Sequence, residues 1–282
     1  MNKILSEQSD WDELLEFISE KQLTPVIGKE LYKFTEADSL IPFDEYLSKQ
    51  LLQANGVTGL PPLPLTKAVS YLLNERRLKP MEVTRKLKTL VKEIRFDFPL
   101  LSQLLEITDL HYFINTSVYN NVLEQKFKEV RNSDLTSINF SINEPFSDCD
   151  DLEKLKQPFV FNVFGSLLNT VDAALSEEDM LEYTGYFKEK LSGAANIINA
   201  LRNHNLLFIG CAFPDWMVRF ILRLLSAEPL QEWGTRRTIV VINDKSDVRQ
   251  TQFDYLRTFD VVTYEGSTAD FMQELSERWK QK

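Results

Sequence analysis

The chain has 282 residues, 43% of them hydrophobic, with a formal net charge of −10 and a pI of about 4.9. That length suits one large α/β domain or two small ones and is enough to bury a real core. The acidity disfavours nonspecific contact with nucleic acid or an anionic membrane, and no apolar run approaches the ~18–20 residues of a membrane span.

Residues 9–22 predict a helix, with Trp11, Leu14, Leu15 and Ile18 on one face and Ser9 with Asp12 as a capping box. No apolar core follows the first lysine, so this start is not a secretory signal. Residues 23–28, LTPVIG, predict a buried strand ending at a glycine turn, with Pro25 tolerated only near its start. From about 40 to 107 the pattern changes. FDEYLSKQLLQAN, TKAVSYLLNERR and MEVTRKLKTLVKEI carry helical periodicity, broken by GLPPLP at 59–64, and predict a helical insertion between core strands. Its basic run, Arg85, Lys86 and Lys88, reads as a solvated face.

Strand-like runs return at 110–116, 159–164, 206–210, 238–243 and 261–266. Helical segments are predicted at about 176–203, 215–226, 247–257 and 268–280, and the polar stretch 131–157 as a loop with one weak strand, TSINF. Continuous apolar strands alternating with helices indicate an α/β class: a Rossmann-like parallel sheet with helices on both faces. The expectation is a single domain over 1–282 carrying the helical insertion. The helix at 216–226 is apolar apart from Arg219 and Arg223, so Trp216 and Phe220 are either an interface or buried against the sheet.

Cys149 and Cys211 are the only cysteines, and His111 and His204 the only histidines, none with ligand spacing. A disulfide framework and a structural metal are therefore not expected, and a reducing cytoplasm is. Ligands of open parallel sheets sit beyond the C-terminal strand ends. The residues there are Gly28, Thr116 and Ser117, Phe164 with Gly165 and Ser166, Gly210 with Cys211, and Asn243. Each has a plainer reading. Gly28 suits any strand-to-helix turn. Gly165 and Ser166 suit a turn and helix cap, as does Asp215. Cys211 suits a small apolar role, and Asn243 serves a ribose hydroxyl and a loop carbonyl equally well.

In order, these strand ends resemble the sirtuin-like family of bacterial proteins. TPVIGKELY is similar to the family's strand running into Gly-Ala-Gly-x-Ser, and NTSVYNNVLE to Thr-Thr-Asn-Tyr-Asp-Asp-x-x-Glu. FVFNVFGS resembles the strand ending in the catalytic His-Gly-Ser, LLFIGCAFPDWMVRFILRLL the Gly-x-Ser-x-x-Asp strand and helix, and VVIND the strand whose asparagine lies near the ribose. The resemblance implies NAD or an ADP-ribose-like nucleotide as ligand, held around Gly28, Thr116, Ser117, Gly165, Ser166, Gly210, Cys211 and Asn243. It also marks departures. Phe164 stands where the family has its histidine base, Val118 where it has asparagine, Asn120 where it has aspartate, and Lys29-Glu30 follow Gly28 in place of Ala-Gly. A phenyl ring cannot take a proton.

The reading that follows is a catalytically inactive module with a binding, assembly or regulatory role and no required cofactor. The resemblance places such modules in bacterial antiphage proteins. Expected partners are further copies of the chain or an effector domain such as a Toll/interleukin-receptor-type domain; the charged last helix, ELSERWKQK, is consistent with a larger protein continuing beyond residue 282 or with an excised piece, and nucleic acid and membrane are not expected. The alternative is an NAD-hydrolysing enzyme using Glu124, Asp215, Asn243 or His111.

Overall fold

The apolar runs of the sequence become strands of one parallel sheet. The computed structural model describes residues 3–37, 39–92, 96–144, 157–167, 173–190, 195–211, 220, 238–242 and 261–282. In chain order these form β1 (Lys3–Ile4), α1 (Gln8–Ser19), β2 (Leu23–Ile27), a 3₁₀ turn, and the antiparallel hairpin β3 (Lys33–Glu36) and β4 (Ser39–Pro42). The helices α2 (Phe43–Gln53), α3 (Leu65–Asn74), α4 (Pro80–Lys92) and α5 (Pro99–Glu106) follow. Then come β5 (Tyr112–Asn115), α6 (Asn120–Arg131), β6 (Thr136–Asn139), β7 (Phe159–Asn162), α7 (Glu177–Lys190), α8 (Ala195–Arg202), β8 (Asn205–Ile209), β9 (Thr238–Ile242), β10 (Val261–Glu265) and α9 (Thr268–Gln281).

Among the described residues the sheet has eight strands in the order β1-β10-β9-β8-β2-β5-β7-β6, every pair parallel. Flanked by its helices, this is the expected α/β, Rossmann-like architecture. From β2 the chain moves outward through β5, then returns to the other side of β2 at β8. The reversal of winding therefore falls between β2 and β8, where a crevice opens in folds of this kind. Among the described residues no helix is long and apolar enough to cross a membrane.

Pro25 lies in the middle of β2 and is nevertheless accommodated. Gly28 N–H bonds Ile209 O on β8, and Thr116 N–H bonds Ile27 O from the β5 side. By alternation the missing N–H of Pro25 faces β5, whose pairing begins only at Val26. The weak strand expected within 131–157 is β6, at one edge of the sheet.

The capping box expected at Ser9 and Asp12 is not formed. Helix α1 starts one residue earlier, at Gln8, with Glu7 as an N-cap that makes no side-chain cap bond. Asp12 instead accepts from the Gln8 side chain at 2.8 Å. Reciprocal capping boxes stand instead at α7, where Ser176 and Asp179 bond each other, and at α9, where Ser267 and Asp270 do. The helical stretch 176–203 is two helices, α7 and α8.

Helices α2 to α5 fill the predicted insertion by burying stripes such as Val83, Leu87 and Val91 of α4. Arg131, at the end of α6, ties this region to the sheet. Its guanidinium donates to the carbonyls of Leu105, Ile107, Thr108 and Leu110 and lies over the Phe127 ring, 4.8 Å from its centre. Burial lowers its pKa to about 10, so it stays charged at neutral pH. Beside β10, Trp11 stacks on Phe271 at 5.5 Å and has the Arg278 guanidinium over its ring at 4.8 Å.

Candidate functional site

The strand ends on either side of the β2–β8 crevice meet through backbone. Gly28 is extended, at φ −97 and ψ 173, so no left-handed conformation demands glycine there. Space does: a Cβ on Gly28 would lie 2.2 Å from the Gly210 carbonyl oxygen. Gly210 is glycine for both reasons, with φ +65 and only 3.0 Å between its would-be Cβ and Leu31 N. Four amides of this first loop are already spent on backbone carbonyls of the loop and of the β8 end. Gly28 N–H donates to Ile209 O (2.8 Å), Glu30 N–H to Gly210 O (3.0 Å), Leu31 N–H to Gly28 O (3.3 Å) and Tyr32 N–H to Lys29 O (3.1 Å). The Glu30 carboxylate turns to α9, accepting from Thr268 Oγ1 at 2.8 Å.

The Cys211 thiol points inward, donating to Val26 O at 3.3 Å. Burial pushes its pKa well above the usual thiol range, and the nearby Glu30 charge adds to that. It is a protonated packing group at neutral pH and not a thiolate nucleophile.

Beside the crevice lies a polar ladder. Three adjacent strands, β5, β7 and β6, end in asparagine at one register: Asn115 opposite Asn162, and Asn162 opposite Asn139. Asn115 Nδ2 donates to Asn162 Oδ1 (2.8 Å), and Asn162 Nδ2 donates to Asn139 Oδ1 and Ser137 Oγ (both 2.9 Å). Asn115 Oδ1 gathers Tyr32 OH (3.1 Å), Ser117 N–H (3.0 Å) and Ser117 Oγ (2.9 Å). Thr116 Oγ1 caps Ile27 O at 2.7 Å, and Ser166 Oγ donates to Asn120 Oδ1 at 2.9 Å. Asn115, Asn120, Asn162 and Ser166 are all 0% exposed, so each of these bonds replaces water that cannot reach the group.

An aromatic wall closes the insertion side. Tyr119 and Tyr32 meet edge to face at 5.7 Å, and Tyr119 OH donates to Asp44 at 2.8 Å. Asp44 also receives Leu65 N–H at 2.9 Å and lies 3.4 Å from Lys29 Nζ. Burial first, then the Asp44 charge, holds Tyr119 well above the usual phenol range; burial raises Tyr32 likewise. Phe164 is fully buried, its ring centre 6.3 Å from that of Tyr183 on α7, and Val118 is 7% exposed. Gly165 takes φ +74 and bridges to Ala173.

Gly28, Thr116, Ser117, Val118, Asn120, Phe164, Gly165, Ser166, Gly210 and Cys211 thus gather at the C-terminal edge of the sheet. Glu124 reaches the same edge, 3.4 Å from Asn120 Nδ2. The histidines do not. His111 and His204 stand at the opposite edge, before β5 and β8, where His204 Nδ1 pairs with Thr24 Oγ1 at 3.0 Å. Burial chiefly, with Lys21 and Arg131, lowers the His111 pKa. Asn243, Asp215 and Trp216 lie outside the described residues. Phe220 is described, half-buried against Phe187 at 5.3 Å. Among the described residues no cluster of three or more His, Cys, Asp or Glu offers a metal-ligand set.

Sequence reasoning missed Asn115, Asn139, Asn162, Tyr32 and Asp44. The signal existed for the first three: YFIN, TSIN and FVFN each end an apolar or β-prone run in the same amide.

The family model for the SIR2-like domain matches residues 113–261, just over half of the chain. That span begins in β5 and ends at the first residue of β10. No curated protein matches the chain.

Proposed function

The chain belongs to the SIR2-like domain family, and within it we propose that this protein is a catalytically inactive module with a binding, assembly or regulatory role. One observation carries the reading. Phe164, aligned by resemblance with the family's histidine, is fully buried against Tyr183, and the polar groups around it are amides and hydroxyls already bonded to one another. None of those groups titrates near neutrality, so none can act as a general base toward a ribose. Losing such help costs about 10²–10⁴-fold in rate. The four spent amides of the first loop and the Glu30 carboxylate beside it also disfavour a pyrophosphate there. A role within a larger antiphage protein, next to an effector such as a Toll/interleukin-receptor-type domain, rests on the resemblance alone.

A second reading, hydrolysis of NAD by non-standard residues, is favoured by Glu124, a carboxylate at the same strand ends. Incubating micromolar protein with NAD and measuring nicotinamide by chromatography separates the two. The expected result is no product above a buffer blank. Turnover near ~1 s⁻¹, within the ordinary enzyme range, refutes inactivity, and its loss in Glu124→Gln would assign the base. Calorimetric titration with NAD and ADP-ribose then tells a silent nucleotide sensor from a module that binds neither.

A further inference from the structure

The insertion helices α3 and α4 meet α7 across a cavity of about 150 Å³, lined by Leu73, Val83 and Thr84 on one side and Leu175, Glu182 and Tyr183 on the other. That is below the roughly 300–1,000 Å³ of a drug-sized ligand site. Its rims are more informative. On the insertion side Met81 is 72% exposed, among exposed Arg76, Arg77, Lys79 and Arg85, which outnumber Glu75 and Glu82. On the α7 side Leu181 is 57% and Tyr186 39% exposed. Gly185 lies between them with open space around it, and Glu178, Glu182 and Glu189 flank them. The rims are held in register by Lys67–Glu177 at 2.9 Å and by Ser70 Oγ donating to Glu178 at 3.4 Å.

We propose that this face is self-complementary and docks a second copy of the chain, the α4 rim of each protomer lying on the α7 rim of the other. A two-fold axis through the middle of the cavity exchanges the rims. It sets each basic edge over an acidic one and brings Met81 of each protomer to Leu181 and Tyr186 of its partner. The net charge of −10 opposes indiscriminate association of copies. A surface where cations face anions escapes that repulsion and fixes orientation. Each helix is only about 20 Å long, so the contact is at the small end of specific interfaces, where weak and reversible pairing is found.

This deepens the assembly half of the proposed function. Nicotinamide release measured on the same samples reports on the other half, so the two fail separately. Sedimentation velocity of the full chain over about 1–200 μM, at low and high salt, tests it. A dimer that weakens with salt is expected. Leu181→Glu and Arg85→Glu should each raise its dissociation constant at least about tenfold, and adding Glu182→Arg to Arg85→Glu should recover association. All of these side chains are exposed, so every variant should keep the wild-type circular dichroism spectrum. A chain monomeric throughout, a dimer indifferent to both single variants, a double variant without recovery, or a Leu181→Glu chain that unfolds would each overturn the proposal.

Discussion

Gly28→Ala adds a carbon 2.2 Å from Gly210 O, 2.3 Å from Gly210 C and 2.5 Å from Cys211 Cα. All three are backbone atoms, so no side chain can rotate away. The residue's own φ and ψ suit alanine, so backbone strain adds nothing. Restoring ordinary contact at ~3.5 Å requires the end of β8 to retreat by more than ~1 Å. The bonds from Gly28 N–H to Ile209 O and from Glu30 N–H to Gly210 O, now 2.8 and 3.0 Å, are then lost or badly stretched. Two such bonds at about 0.5–1.5 kcal/mol each, with overpacking of about 1–3 kcal/mol, bring the cost to about 2–6 kcal/mol. That is a large share of a typical ~5–15 kcal/mol stability. Urea unfolding followed by circular dichroism should show the midpoint falling at an unchanged slope. Gly56→Ala is the control: its φ is +70 but nothing lies within 4 Å of the new carbon, so only the left-handed backbone cost of about 1–2 kcal/mol is expected. If the two variants lose the same stability, close approach is not why position 28 holds glycine.

Asn115→Leu strips the ladder of its hub, leaving Tyr32 OH, Ser117 Oγ and Asn162 Oδ1 without their partner. At about 1–3 kcal/mol per orphaned group the loss should reach ~3 kcal/mol or more; calorimetric melting within a degree or two of wild type would refute the network's weight. Cys211 should resist alkylation in a Cys149→Ser background. Its raised pKa disfavours the thiolate, so labelling stays slow at pH 8 and accelerates only above the usual thiol range, whereas urea-unfolded chain reacts at the ordinary rate. Mass spectrometry showing equal rates in folded and unfolded chain at pH 8 would refute the buried, protonated thiol.

The central strands were legible because a strand buried on both faces is a continuous apolar run: LTPVI, YFIN, FVFN and NLLFI need no partner to be recognised. The insertion helices were legible from their stripes. Short or polar elements were not. The two residues of β1 gain strand character only from pairing with Val262 and Thr263. The hairpin turns at Ala37, φ +46, without the Asn-Gly or Asp-Gly signature of a tight turn. Helix α6, NNVLEQKFKEVR, is mostly polar, and its short stripe of Val122, Leu123 and Phe127 is too sparse to mark a helix by periodicity. The strand-end residues were found because topology dictates where ligands sit. Their hydrogen-bond partners were not, because Asn115, Asn139 and Asn162 come together through cross-strand register, which sequence spacing does not encode. Glu30 and Thr268, 238 positions apart, are the extreme case.

The place of β2 between β5 and β8 also sets a timetable for synthesis. Thr24 and His204, which meet across the β2–β8 pair, are 180 positions apart, and at ~5–20 residues per second the ribosome needs about 10–40 s to cover that gap. Throughout that interval β5, β7 and β6 can assemble on one side of β2, while the other side, fully buried in the finished sheet, offers unpaired backbone. Closing contacts so distant in sequence is slow, and an open apolar edge recruits other nascent chains. Yield in a heterologous host should therefore follow translation rate and chaperone supply more closely than the stability of the finished fold.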